Sequence, residues 1–232
     1  MYKTILLKLS GEALGNKSGP YDFEFIDYLA KQIKELRKKG IKVGIVCGGG
    51  NICRGRVFEK LGLKREKADY VGMTATVMNS LILSSALSNL KVKNKVLTSF
   101  PVNTVDNYTK AKANKLLKEG NVVLFGGGTG KPFCSTDKAC AQKATDIKAE
   151  VILFAKNGTD GVYDSDPRKN KKAHRFSEMT FSDIMKLKLD VIDYDAAKIC
   201  KKNNIKGFVF DMAEEDSIKK AALGNIKGTI IK

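Results

Sequence analysis

Short apolar runs recur along the chain at Thr4–Leu9, Val43–Cys47, Lys95–Phe100, Val122–Phe125, Val151–Ala155, Ile205–Phe210 and Gly228–Ile231. Each has the length of a strand and is bounded by polar or glycine-containing segments. Between them the apolar positions change to helical spacing. Phe25, Ile26, Leu29, Ile33 and Leu36 form one face of a helix over Asp22–Lys39, which Gly40 ends. The same spacing predicts helices over Asp69–Leu90, Val105–Glu119, Thr136–Lys148, Ser177–Lys188, Asp193–Asn204 and Asp216–Leu223. The Asp69–Leu90 segment is apolar almost all the way round, as in a buried helix or a subunit interface. Strands alternating with helices predict an α/β protein, a three-layer αβα sandwich with a largely parallel central sheet and right-handed crossovers. Residues 1–232 are expected to form one domain.

The punctuation between elements is where chemistry enters. Val122–Phe125 runs into Gly126-Gly127-Gly128-Thr129-Gly130, followed by a helix whose N-cap is Thr136 or Asp137. Val43–Cys47 runs into a second triple glycine, Gly48-Gly49-Gly50-Asn51, and Thr4–Leu9 ends in Lys8-Leu9-Ser10-Gly11. Glycine lets backbone N–H groups approach a ligand closely, and a helix N-terminus adds unpaired donors, so an anion is the natural guest. One such loop reads equally well as a flexible turn, whereas two point to a shared phosphate-binding edge. Lys8 is either an edge lysine reaching for solvent or a compact cation for a transferring phosphoryl group. Either Arg54 or Arg56 could reach phosphate oxygens, and Arg54 is nearer the glycines. Asp69 is either a first-turn carboxylate or an acceptor for a ribose diol. The segment 156–167, rich in turn signals, is a loop or small hairpin in which Asn157, Tyr163 and Asp166 could hold an adenine and its ribose. Familiar nucleotide motifs are excluded. A P-loop would need glycine at Phe125 and Ser or Thr at Pro132, and Cys53 and Lys131 break both attempts at Gly-x-Gly-x-x-Gly.

A formal charge of +17 admits nucleic acid, membrane surfaces or small anions as partners. Of the 42 basic residues only Arg37, Arg54, Arg56, Arg65, Arg168 and Arg175 are arginine, and the lysines are scattered over helix surfaces. That distribution is a solvated lysine-rich surface, with nucleic-acid binding as the alternative. Lys3 and Lys8 spoil a signal-peptide core, and no apolar run is read as crossing a bilayer, so a soluble cytoplasmic protein without membrane partners is expected. The five cysteines include no Cys-x-x-Cys pair, and His174 is the sole histidine. Neither a zinc site nor a Cys/His dyad is expected, and reduced thiols in a reducing compartment fit best; Cys47 and Cys134, beside the glycine loops, read as small buried hydrophobes, with reactive thiols as the alternative.

In register along the chain, five blocks carry a resemblance: Lys8-Leu9-Ser10-Gly11; Gly48-Gly49-Gly50-Asn51 with Arg54-Gly55; Asp69 with Gly72-Met73-x-Ala75-Thr76-Val77-Met78-Asn79; Gly127-Gly128-Thr129-Gly130-x-Pro132-Phe133 ending at Asp137; and Asp160-Gly161-Val162-Tyr163 with Asp166-Pro167. They resemble the bacterial uridylate (UMP) kinases, a branch of the amino-acid kinase superfamily. The Asp69–Asn79 and Gly127–Asp137 blocks resemble that branch rather than its acetylglutamate, carbamate and aspartate kinase cousins. The resemblance implies the amino-acid kinase fold and transfer of the γ-phosphoryl group of ATP to UMP, with Mg2+, in pyrimidine nucleotide biosynthesis. It implies that Lys8, Leu9, Ser10, Gly11, Gly50 and Arg54 face the ATP phosphates and that Asn157, Tyr163 and Asp166 hold adenosine. Gly49 is implied at the UMP phosphate, Asp69 at its ribose, and Thr129, Gly130, Lys131, Pro132, Phe133, Cys134, Ser135 and Thr136 along the UMP pocket. Lys8, Arg54, Asp137 and Asp193 are implied as the catalytic set, with no residue assigned as a metal ligand. The UMP part is mainly 1–150 and the ATP part mainly 151–232. A homohexamer and feedback inhibition by UTP are family expectations. The rival enzyme reading is a superfamily kinase of the carbamate or acetylglutamate type.

The chemistry suits what the chain lacks. A nucleoside monophosphate has a second pKa of about 6, so its phosphate is already an anionic nucleophile and needs no general base. Lys131, Cys134 and Ser135 depart from the usual family residues, although Ser135 keeps a hydroxyl. Gly15–Pro20 lacks the family pattern often associated with a GTP activator, so GTP activation is not expected.

Overall fold

The computed structural model describes residues 2–53, 62–167, 169–189 and 191–232. Its centre is a sheet in the order β4-β3-β5-β2-β1-β6-β10-β11-β9. These strands are β1 (Thr4–Leu9), β2 (Lys42–Cys47), β3 (Asn94–Thr98), β4 (Asp106–Asn107), β5 (Val122–Gly126), β6 (Val151–Lys156), β9 (Glu178–Met179), β10 (Lys206–Asp211) and β11 (Thr229–Ile231); β7 (Val162–Tyr163) and β8 (Arg175–Phe176) form a separate hairpin. Neighbours pair in parallel except β10 with β11. The helices are α1 (Phe23–Lys38), α2 (Arg65–Asn89), α3 (Lys110–Lys118), α4 (Thr136–Asp146), α5 (Phe181–Leu187), α6 (Tyr194–Lys202) and α7 (Ser217–Leu223).

Alternation along the strands builds two cores, one on each sheet face. Ile5, Leu7 and Leu9 of β1 join α1, α2 and α7 residues such as Leu29, Leu83 and Ile218 on one face. Leu6 joins α3, α4, α5 and α6 residues such as Leu117, Ala144, Phe181 and Ala197 on the other. By the same period Lys8 lies on the Leu6 side, facing α4. Because β1 pairs with β2 and β6, Lys8 sits on a central strand, and the edge reading of this lysine falls. The parallel strands β1, β2, β5 and β6 deliver their C-terminal loops to one rim, the place where open α/β sheets bind ligands.

Several boundaries differ from the sequence pattern for physical reasons. α2 starts at Arg65, so Asp69 lies inside the helix rather than opening it. Its first turn, Arg65-Glu66-Lys67-Ala68, is built of good helix formers with little apolar content, which periodicity cannot register. α3 begins at Lys110 behind a Thr109 cap, because Asp106 and Asn107 pair with β3 instead. The Ser177–Lys188 helix is replaced by β9 and then α5, which starts at a Thr180/Asp183 capping box. β9 exists only because β11 lies beside it. By length and composition α2 could cross a membrane, contrary to expectation, yet half of its most apolar stretch is buried in the molecule. It packs on β5, β3, β2 and α1 as a core helix.

Candidate active site

The first two glycine loops meet by direct backbone packing. The Gly48 N–H donates to the Leu9 carbonyl at 3.0 Å, continuing the β1–β2 ladder into the rim. A Cβ on Gly11 would lie 2.5 Å from the Gly48 oxygen and 2.6 Å from the Gly50 nitrogen, so no larger residue fits there. Leu9, expected at the ATP phosphates, is fully buried and its carbonyl is taken by the Gly48 N–H. The second loop is anchored by two amides. Asn79 is buried in α2 and donates to the Gly48 carbonyl at 2.6 Å and to Asn51 Oδ1 at 2.7 Å. Asn51 in turn donates to Asn79 and to the Pro20 carbonyl.

The third loop, after β5, turns through positive φ at Gly127, Gly128 and Gly130. Thr76 of α2 accepts from the Gly127 N–H at 2.9 Å. Between this loop, the Gly49 turn and the first half of α2 lies a cavity of about 490 Å3. Of the residues that the resemblance assigns to one ligand, Gly49, Asp69, Phe133, Cys134, Ser135 and Thr136 border it, together with Gly128, Arg65, Met73 and Thr76. Thr129, Gly130, Lys131 and Pro132 are not on its wall. Thr129 borders a different cavity behind the loop, and Lys131 is exposed. Asp69 fixes the loop's tip: its Oδ2 accepts from the Phe133 N–H at 2.7 Å while Arg65 donates to Oδ1 at 3.2 Å. Phe133 is held at φ +60 with its ring 67% exposed. A bulky residue in the left-handed region stores strain of the kind found at ligand clamps.

Lys8 and Asp137 meet at the centre of the rim, with Nζ 3.0 Å from Oδ1. Burial pulls the Lys8 pKa down, but Asp137, Cys140 and Asp193 together outweigh it and hold the ammonium above the ordinary lysine range. Asp137 stands in the first turn of α4, where the helix dipole favours a carboxylate. The N-cap of α4 is Ser135, one residue before the expected pair, and its hydroxyl donates to Asp193. Asp193 also caps α6 by accepting from the Ala196 N–H at 2.8 Å. Thus Lys8, Asp137, Ser135 and Asp193 form one cluster tied to two helix starts. Arg54, expected among them, lies outside the described residues, as does Arg56.

A second cavity of about 430 Å3 opens beyond β6, bordered by Gly161, Tyr163, Asp166, Pro167, Lys188 and Val191 among others. Tyr163 donates to Asp160 Oδ1 at 2.6 Å, and Asp160 pairs with Arg175 at 3.2 Å across the β7–β8 hairpin. The hydrogen bond to Asp160 raises the Tyr163 pKa, so the phenol stays neutral. Asn157 is exposed beside this cavity and is not on its wall. His174 lies against the same segment, its backbone N–H donating to Asp164 at 3.0 Å. The five cysteines are unpaired. Burial pushes the Cys47 and Cys200 thiols up to about 12, and Cys140 well above its usual value, which keeps them unreactive.

The glycine-bearing strand ends, the Lys8–Asp137 pair and the two cavities thus share one end of the sheet. The amino acid kinase family model matches residues 3–211. The chain belongs to the amino acid kinase family. Within this family it is 44% identical to the uridylate kinase of Mycoplasmopsis pulmonis (strain UAB CTIP), over 99% of this chain and 96% of that protein. It is 46% identical to the uridylate kinase of Mycoplasmopsis synoviae (strain 53), over 98% and 97%. The crystal structure of UMP kinase from Ureaplasma parvum superposes with a TM-score of 0.96 at 36% identity, covering 100% of this chain and 99% of that one. The fold is therefore the amino acid kinase fold. Sequence reasoning missed Arg65 and Thr76 on the cavity wall. Arg65 had a signal, its i,i+4 spacing to Asp69. Thr76 is placed there only by the packing of α2 against the loop after β5.

Proposed function

We propose that this protein is an ATP-dependent UMP kinase that converts ATP and UMP to ADP and UDP in pyrimidine nucleotide biosynthesis. The observation that carries the reading is the position of Lys8. It stands on β1, between the strand whose loop borders the Asp69 cavity and the strand that leads to the Tyr163 cavity. UMP occupies the first cavity and ATP the second, so 1–150 is mainly the acceptor part and 151–232 mainly the donor part. The UMP phosphate is anionic at neutral pH and attacks without a general base. Lys8, with Arg54 and the backbone amides of Ser10, Gly11, Gly49 and Gly50, holds the two phosphates and neutralises the charge that builds between them. Asp137 and Asp193 aim the ammonium. Asp69 takes the ribose, and Asn157, Tyr163 and Asp166 receive adenosine.

No group of three or more His, Cys, Asp or Glu side chains among the described residues forms a metal cage. That suits Mg2+, which keeps most of its waters and binds through phosphates with one or two carboxylates. Asp137, at the first turn of α4 and partly exposed, is the carboxylate that fits. Mg2+ supplies charge neutralisation on the transferring phosphoryl group. UTP carries the same uracil and ribose as UMP and competes for the acceptor cavity as a feedback inhibitor. The protein works in the cytoplasm as a homohexamer; its unpaired thiols support the reducing compartment.

ADP release with UMP, CMP, acetylglutamate or carbamate as acceptor tests the reading. UMP is expected to be the preferred acceptor, and inactivity with UMP alongside turnover of another acceptor would refute it. Lys8→Ala is expected to lower kcat at least about 100-fold with circular dichroism unchanged.

A further inference from the structure

The loop after β5 is held from behind by a relay that borders neither substrate cavity. Lys143, on the buried side of α4 and 5% exposed, donates from Nζ to Ser99 Oγ at 3.1 Å. Ser99 Oγ donates to the Gly128 carbonyl at 2.8 Å. The Lys143 ammonium also lies 3.2 Å from the centroid of the Tyr108 ring. That ring is fixed by its own hydroxyl, which donates to Asp146 at 2.6 Å. Gly130 closes the loop over Ser99 at φ +77, where a Cβ would stand 2.5 Å from the Ser99 carbonyl oxygen.

The direction of this relay is dictated by chemistry. An ammonium can only donate, so Ser99 Oγ must accept from Lys143, and its one proton is committed to Gly128. In a trans peptide the C=O and the following N–H point to opposite sides. Turning the Gly128 carbonyl back to Ser99 therefore turns the Thr129 N–H forward, to the side on which Gly128 borders the acceptor cavity. No hydrogen bond among the described residues takes up that N–H.

We infer that Lys143 and Ser99 are positioning residues for the acceptor nucleotide, setting the Gly128–Thr129 peptide so that the Thr129 N–H donates to one of its oxygens. This rests on the assignment of UMP to that cavity. The Gly128 carbonyl can only accept, so it takes the Ser99 proton, and the Lys143 amino group fills the acceptor side of the same hydroxyl; the aromatic face of Tyr108 stabilises the ammonium where water is scarce.

The test is calorimetric titration of the full-length protein with UMP, alongside initial rates, for Ser99→Ala, Lys143→Met and Lys143→Arg. Ser99→Ala and Lys143→Met are expected to weaken UMP binding about 10-fold and to raise the UMP KM in step, with the ATP KM within about twofold of wild type. Lys143→Arg keeps donor-only chemistry and is expected to restore most of the affinity. A general loosening of the fold would weaken both substrates equally and would not be rescued by arginine, so that pattern overturns the inference. Wild-type UMP affinity in Ser99→Ala overturns it too, and this variant decides the matter if Lys143→Met does not fold. Wild-type protein that binds no UMP would instead refute the cavity assignment beneath it.

Discussion

Two lysines on the α4 side of the sheet, Lys8 half-buried and Lys143 buried, show how environment gives one residue type opposite properties. Lys8 has Asp137 at 3.0 Å and stays protonated at any working pH. Lys143 is buried with only the more distant pull of Asp146 to offset desolvation, and its pKa falls to about 8. A lysine whose folded pKa lies below its unfolded value holds its proton less tightly in the folded protein. The unfolded chain then binds more protons between pH 8 and 10.5, and this group's contribution to stability rises with pH across that window. Wild type is accordingly expected to gain stability relative to Lys143→Met over that range, by at most about 1.4 kcal/mol per pH unit, as measured by urea denaturation at several pH values. A difference that stays flat would mean Lys143 is not shifted. The sequence supplied reasons to single out Lys8, which interrupts an apolar strand beside a glycine turn. It supplied none for Lys143, because a lysine on an amphipathic helix looks like any other until the partner across the sheet is known.

At the scale of elements, helix starts carry much of the site. Ser135 and Asp193 cap α4 and α6 and bond to each other, so the two helices enter the centre as a pair. Lys138 and Asp195, one turn in, repeat the connection at 2.6 Å. A cap away from the centre serves as a control. Thr180 and Asp183 form the capping box of α5, and Thr180→Ala is expected to cost about 1 kcal/mol of stability with little change in kcat, measured by denaturation and initial rates. Loss of activity without loss of stability would contradict a purely structural role for that box. The long strands and amphipathic helices were legible because burial on a sheet imposes their periods on the sequence. β4 and β9, two residues each, were not, since nothing local to so short a segment distinguishes it from a loop and only the neighbouring strand makes it one.

At the scale of the molecule, α2 has two duties. Its inward face fills the core, and its N-terminal half walls the Asp69 cavity. Its outward face leaves Tyr70, Val71, Met78 and Leu81 between 37% and 46% exposed, on one stripe of the helix. The homohexamer proposed above would have this apolar stripe in an interface: Met78→Glu with Leu81→Glu is then expected to reduce the mass measured by light scattering, and an unchanged mass would contradict assembly through α2. The amino-acid sequence alone determined the αβα sandwich, the three glycine-bearing strand ends and the phosphate chemistry, because apolar period and glycine position respond directly to burial and to close backbone approach. Only the tertiary structure decided that Lys8 sits on a central strand facing Asp137, that Gly128 borders the Asp69 cavity while Thr129 borders the one behind the loop, and that Ser99 and Lys143 stand behind that loop. Those facts depend on strand order and on contacts between residues far apart in the chain, and neither is encoded in any local pattern.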